Sequence, residues 1–263
     1  MLISIEGNIG TGKTTLINIL KKRFTEKHSV IFVEEPLQQW LDLVDGDGSN
    51  ILGKFYENQE RWSYSFQMHA FITRTKDILK QNTQDNVIII ERSVLTDCNV
   101  FATLLHESGK ISDLEWKLYL EWFSWLTEHF SSVKPDKYVY LKADPEVSFN
   151  RMVKRTRDEE NNIPLEYLIS VSEKHDTWLL DDSMENVITI DVNSDFSNSE
   201  RFKTTVIDRV SQLIKDNVSD MTSSSSERSS PIDIVDTCSD PVDISVNVSP
   251  AASGGRKVAD ILT

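Results

Sequence analysis

Cysteine, glycine, proline and positive charge are all scarce in this sequence, and each shortage excludes something. Two cysteines, Cys98 and Cys238, supply neither a disulfide framework nor a metal site, which points to a reducing, intracellular compartment. No apolar run approaches the roughly 20 residues of a membrane span. Strand-like and glycine-rich residues begin at Met1, so no signal or transit peptide is expected and the expected location is cytoplasmic. Lys and Arg number 28 against 42 Asp and Glu, a net charge of −14, which argues against a protein that coats nucleic acid. A local basic pocket for a nucleotide is not excluded by that balance. The chain of 263 residues suits one α/β domain with a full core, plus a tail.

Against only nine glycines in all, three crowd into residues 7–12. The short apolar run Leu2 to Ile5 reads as a buried strand, and residues 14–24 carry Leu16, Ile19, Leu20 and Phe24 at helical spacing. Between them, Gly7, Asn8, Ile9, Gly10, Thr11, Gly12, Lys13 and Thr14 fit the phosphate-loop pattern G-x-x-x-x-G-K-[ST], with Thr15 following. The pattern stands in the context it needs, strand before and helix after. Glycines let backbone N–H groups wrap a phosphate chain, and the helix N-terminus adds partial positive charge. Lys13 is placed for the β- and γ-phosphates and the Thr14 hydroxyl for Mg²⁺. Binding of a nucleoside triphosphate is the expectation.

Four more apolar runs follow, at Val30–Val33, Val87–Ile90, Tyr138–Leu141 and Val187–Asp191. The second strand ends in Glu34-Glu35-Pro36, so Glu35 sits at a strand C-terminus, the edge where ligands collect in parallel sheets. The third is followed at once by Glu91-Arg92-Ser93. Residues 45–50 form a loop by turn chemistry, and one long helix is predicted over about 55–81. Further helices are predicted over 93–107, 112–130, from Asp144-Pro145 onward, from Ile163-Pro164 to about Leu180, and over 200–215. The 112–130 helix holds Trp116, Tyr119, Trp122, Phe123 and Trp125, which read as core or as a helix–helix interface. Strands alternating with helices predict a three-layer α/β fold, a five-stranded parallel sheet with helices on both faces. From Asn217 onward, eleven serines and three prolines occupy 47 positions without one aromatic residue, and seven acidic residues face three basic ones. Residues 217–263 are therefore expected to be a disordered, acidic, Ser-rich tail.

The stretches 7–14, Glu35-Pro36 with Trp40, 60–67, Glu91-Arg92-Ser93, 151–160, 163–167 and Asp191-Val192-Asn193 together resemble the deoxynucleoside kinases. The deoxycytidine, deoxyguanosine and deoxyadenosine kinase branch is the nearest likeness. The resemblance covers about residues 1–216 and none of the tail, and it implies the P-loop NTPase-type fold. It implies ATP-dependent phosphorylation of the 5′-hydroxyl of deoxynucleosides, with ATP or another nucleoside triphosphate as donor and Mg²⁺ as cofactor. Glu35 would then take the hydroxyl proton, a base by proximity more than by basicity. Arg92 would hold Glu35 and the phosphoryl oxygens, and Glu91 would associate with Mg²⁺ directly or through water, although a structural Glu91–Arg92 ion pair is the plainer reading.

Arg151, Lys154, Arg155 and Arg157 make a basic helix end that, beside a phosphate loop, resembles the family's lid at about 151–160. Donor contacts are implied at Arg151, Arg155, Arg157, Asp195 and Phe196. Tyr56 and Glu160 resemble the pair that holds the sugar 3′-hydroxyl. Gln67 matches the family's base-pairing amide, flanked by Phe66 and Phe101, with Trp40 nearby. Arg74 lies two turns beyond Gln67, and with Asp97 it marks the cytidine and purine kinases over the thymidine-favouring members; alone it also reads as a surface charge. Two departures stand out: the loop after Trp40 is short, and Leu95 and Thr96 replace more polar or aromatic neighbours near the base pocket. The resemblance further implies a homodimer, with the 112–130 helix as candidate surface, and the tail is a candidate contact for a protein partner. The competing readings are another P-loop kinase such as thymidylate kinase, whose acceptor phosphate Glu35, Tyr56 and Glu160 would repel, and a non-catalytic member of the fold, which would have lost Lys13 or the lid arginines.

Overall fold

The computed structural model describes residues 1–24, 29–81, 86–160, 163–194 and 199–224. Five parallel strands, β1 (Leu2–Glu6), β2 (Val30–Val33), β3 (Val87–Glu91), β4 (Lys137–Lys142) and β5 (Val187–Asp191), form one sheet in the order β2-β3-β1-β4-β5. Every residue of β1 and β3 is buried, as uninterrupted apolar runs require when both sheet faces are covered.

The period-two alternation of the strands sorts two cores. On one face Ile3, Ile5, Ile89 and Val139 pack against Leu16, Ile17 and Leu20 of α1 (Lys13–Arg23) and Val206 and Val210 of the last helix. On the other, Leu2, Ile88 and Ile90 meet Phe71, Ile78 and Leu126 of the long helices. The three-layer expectation is met. From β1 the chain goes out to β2, returns through β3 and then crosses to β4 on the far side. The carboxyl ends of β1, β3 and β4 thus flank a topological switch point, where open α/β sheets bind ligands.

The helix predicted over 55–81 is two helices. After α2 (Leu37–Asp42), which the sequence reading did not foresee, come α3 (Ile51–Glu57) and α4 (Gln59–Leu79). They part at Asn58, whose side chain accepts from the Arg61 amide at 3.1 Å as an N-cap. The 93–107 helix is interrupted as well: α5 (Val94–Thr96) and α6 (Thr103–Glu107) bracket a π-helical turn, Asp97–Ala102. The remaining helices, α7 (Asp113–His129), α8 (Pro145–Arg155) and α9 (Leu165–Leu179), lie where expected.

The last helix, α10 (Glu200–Ser224), runs past the tail boundary at 217. The composition there cannot bury a core, but no residue in 200–224 breaks a helix, and the next proline is Pro231. The rest of the tail, with Cys238, lies outside the described residues, as do Asp195 and Phe196. Among the described residues no helix is long and apolar enough to cross a membrane.

Candidate active site

A cleft of about 730 Å³ opens along the carboxyl edge of the sheet. Its floor is the loop between β1 and α1. There Gly10, at φ +86, sits against the Ser148 carbonyl of α8, leaving no room for a Cβ. Gly7 and Asn8 stand behind the wall: a Cβ on Gly7 would lie 2.6 Å from the Leu141 carbonyl, and the Asn8 amide donates to the Leu168 carbonyl at 2.7 Å. The loop is thereby clamped between β4, α8 and α9.

Lys13 is buried, its ammonium donating to the carbonyls of Asn8 at 2.7 Å and Gly7 at 3.1 Å. Burial, and then the nearby Arg92 charge, bring its pKa down to about 7. Thr14 donates its hydroxyl to the Glu91 carboxylate at 2.8 Å, so the two residues expected at the metal lie together. Burial and then the Glu35 charge raise the Glu91 pKa. Among the described residues no group of three His, Cys, Asp or Glu side chains could cage a metal. One carboxylate and one hydroxyl suit a hard cation that keeps its waters and phosphate oxygens, which fits Mg²⁺.

Glu35, at the end of β2, accepts from Arg92 Nη1 at 2.9 Å and from Arg74 Nη2 at 3.2 Å on one oxygen. Burial pushes its pKa up, but Arg92, Arg74 and Lys13 outweigh it and hold it at about 2. Arg74 reaches this point from the middle of α4. Its Nε donates to Asp97 at 2.9 Å and its Nη1 to the Glu91 carbonyl at 2.7 Å. It is a buried hub, and the reading of it as a surface charge is excluded. Asp97, also buried, is pushed up to about 6 by desolvation, against the pull of Arg74.

The far end of the cleft is aromatic. Phe66 stacks on Phe55 at 4.6 Å and meets the edge of Trp40 at 5.3 Å. Phe101 lies under the Arg92 guanidinium at 5.2 Å. The Gln67 amide oxygen is buried with no hydrogen-bond partner. Tyr56 lines the same wall, its pKa raised well above the ordinary value by burial first.

The lid residues divide between two sets of partners. Arg151 donates to the carbonyls of Val192 at 2.8 Å and Asn193 at 3.0 Å, whereas Arg155 and Arg157 reach Glu160 at 2.6 and 2.9 Å. Arg151, Arg155, Arg157 and Glu160 border the cleft, whereas Lys154 stays outside it. Leu95 and Thr96 do not. Thr96 is buried in a separate polar network and Leu95 packs among the β3 and β4 cores, so neither neighbours the base pocket as the sequence reading had it. The cleft is further lined by side chains the reading missed, Leu37, Leu52, Phe55, Ala70 and Tyr167 on the acceptor side and Asn18, Ile19 and Lys203 as well. Phe55 carried a usable signal, one helical turn from Leu52 and next to Tyr56.

A phosphate loop on a parallel sheet, opening into a cleft with a carboxylate held between two arginines, defines a P-loop phosphotransferase. Comparison with known proteins narrows the class. A model of the deoxynucleoside kinase family matches residues 3–215, and the chain belongs to that family. A probable deoxycytidine kinase of fowlpox virus is 40% identical over 221 residues, covering 81% of this chain and 88% of the viral protein. Deoxycytidine kinase 1 of Xenopus laevis is 34% identical over 240 residues, covering 81% of this chain and 89% of its own. The mitochondrial deoxyguanosine kinase of Xenopus laevis is 34% identical over 225 residues, covering 75% and 83%.

Proposed function

We propose that the protein transfers the γ-phosphoryl group of ATP or another nucleoside triphosphate to the 5′-hydroxyl of a deoxynucleoside, favouring deoxycytidine or purine deoxynucleosides over thymidine. The observation that carries this reading is that one cleft joins the phosphate loop to the orphaned Gln67 amide oxygen, with the Arg74–Asp97 pair beside it. A buried acceptor without a donor is costly, and an N–H on a nucleobase edge supplies one, while the preference against thymine rests on the Arg74–Asp97 pair. Phe66 and Phe101 enclose the ring, and Tyr56 and Glu160 meet the sugar.

Glu35 lies between the nucleobase wall and the phosphate loop and acts as the base. At a pKa of about 2 it is ionised at any physiological pH, so its contribution is position and permanent charge. Arg92 orients it through the 2.9 Å contact. Lys13 and the lid cations Arg151, Arg155 and Arg157 neutralise charge on the transferring group. Thr14 and Glu91 would hold Mg²⁺, which supplies charge neutralisation of the donor phosphates when bound.

The location is the cytoplasm, on the cysteine usage. The enzyme is a homodimer through α7, because Leu118, Trp122 and Trp125, at i, i+4 and i+7, present one exposed apolar stripe, and Ile72 and Leu79 of α4 are exposed as well. Trp125→Glu should then give monomers by sedimentation. The direct test of the activity is phosphoryl transfer to each of the four natural deoxynucleosides with ATP and Mg²⁺. Monophosphate from deoxycytidine or a purine deoxynucleoside is expected, and a preference for thymidine would overturn the reading of the pocket.

A further inference from the structure

Glu6, the last residue of β1, is wholly buried and meets no cation within ion-pair distance among the described residues. Four donors surround its carboxylate instead. Ser4 Oγ at 2.5 Å, the Ser93 amide at 3.2 Å and Ser93 Oγ at 3.0 Å bond one oxygen, and Thr96 Oγ1 at 2.6 Å bonds the other. Ser93 and Thr96 are themselves the two halves of the capping box that starts α5. A buried carboxylate with this many donors is a fixed point of the structure.

Between the Mg²⁺-side Glu91 and this fixed point lies Arg92, in the left-handed region at φ +60. That conformation is unfavourable for any residue with a Cβ and persists only where its surroundings impose it. Here the surroundings can be named. The Arg92 amide still donates to the Ile5 carbonyl at 3.1 Å, one last rung of the β1–β3 ladder. At Arg92, whose amide is the last to face β1, the chain turns off the sheet, and the next amide, Ser93, which a continuing strand would turn toward β2, leaves the ladder. The Glu6 side chain takes it instead. With the amide before the turn held by β1 and the residue after it held by Glu6, Arg92 has no room to relax. The turn aims its guanidinium at Glu35, 2.9 Å away, and at the Gly7 carbonyl, 3.3 Å away.

We propose that Glu6 is a positioning residue for phosphoryl transfer: through Ser93 and Thr96 it locks the left-handed turn that sets Arg92 on the catalytic carboxylate. The inference rests on the kinase reading above. It assigns a catalytic consequence to a residue that touches neither the cleft nor a substrate.

Glu6→Asp keeps the charge and withdraws the carboxylate by one bond, about 1.5 Å. A displacement of that size in a reacting group costs up to about 100-fold, so kcat should fall by about ten- to a hundredfold while KM for nucleoside and donor changes little. Glu6→Gln keeps length and shape. Its oxygen can accept from Ser93 and its amide can donate to Thr96, so most of the wild-type kcat should return. On an Arg92→Lys background, Glu6→Asp should add almost nothing, because both changes act through one group. A purely structural role predicts a lower melting temperature with kcat of the folded enzyme unchanged, or losses that multiply with Arg92→Lys, and either result overturns the proposal. If Glu6→Asp does not fold, Thr96→Val removes one donor at constant shape and is read the same way: a kcat loss at constant KM supports the proposal and an unchanged kcat refutes it. A crystal structure of the folded variant separates this inference from the kinase reading. Arg92 leaving the left-handed region and parting from Glu35 is expected whatever the substrate, and an unmoved Arg92 would refute the role of Glu6 alone.

Discussion

Arg74 and Asp97 offer the sharpest quantitative test, because one residue of the pair has other partners and its mate does not. Replacing Arg74 by Met leaves the Asp97 carboxylate, with a side chain only 4% exposed, without its counterion. Breaking a buried pair from one side costs about 3–5 kcal/mol, a large part of the 5–15 kcal/mol that keeps a domain folded. Asp97→Ala is milder, about 1–3 kcal/mol, because Arg74 keeps Glu35 at 3.2 Å and the Glu91 carbonyl at 2.7 Å. The double variant buries no orphaned charge at this pair. Its cost should therefore fall at least about 2 kcal/mol below the sum of the single losses. Urea unfolding of the four proteins measures this directly. Additivity within about 0.5 kcal/mol would mean that Asp97 does not depend on Arg74, and the account of the pocket would fail. The same proteins test selection: the double variant should gain thymidine relative to deoxycytidine. Its kcat should still be low with every substrate, because one of the two guanidiniums on Glu35 has gone.

Glu35→Gln should lower kcat by ~10²–10⁴ with nucleoside binding retained in calorimetry; turnover near wild type would remove Glu35 from the chemistry. Buried His175, whose pKa burial brings down to about 3, stays neutral when folded, so between pH 3 and about 6.5 the unfolded chain binds a proton that the folded chain refuses. Stability should then rise with pH across that window, by on the order of 5 kcal/mol for this group. His175→Phe, which keeps a ring stacked on Tyr140, should flatten the rise in denaturant titrations at pH 4 and 6.5, and an unchanged slope would show that His175 is not its source. Truncation after Ser224 should leave turnover and melting temperature unchanged, since every described cleft residue precedes Lys215, and a loss of either would assign the tail a place in the body.

Much of this was readable in the sequence because burial leaves a one-dimensional mark. Strands covered on both faces appear as unbroken apolar runs, and the phosphate loop is a local pattern whose flanks confirm it. What stayed hidden depends on partners far apart in sequence or on hydrogen-bond register. The apolar periodicity of 55–71 passes through Asn58 unbroken, so only its cap geometry betrays the break between α3 and α4. Nothing in Asp97–Ala102 marks a π-helical turn, whose hydrogen bonds shift by one residue without special chemistry. The resemblance set Thr96 near the base pocket, yet after the turn at Arg92 its hydroxyl donates to Glu6 instead.

Glu35 and Glu91 show most clearly what the third dimension adds. In the sequence they are alike, each an acid at the end of an apolar strand. In the fold they diverge. Glu35 faces two guanidiniums, one of them from the middle of α4, and its proton affinity falls to about 2. Glu91 is the more buried of the two, its only hydrogen-bond donor among the described residues is the Thr14 hydroxyl, and burial, then the Glu35 charge, push its pKa up. The base role proposed for Glu35 needs a carboxylate that stays ionised, and the fixed cations around Glu35 keep it so. On the proposed reading Glu91 would serve a divalent ion, and burial without an ion-pair partner among the described residues leaves an environment such an ion would complete. Pairs of acids pushed apart in this way mark a division of labour. Arg92 and then Arg74 hold the charge of Glu35, and the Arg74 side chain ties Glu35 to the buried Asp97 as well.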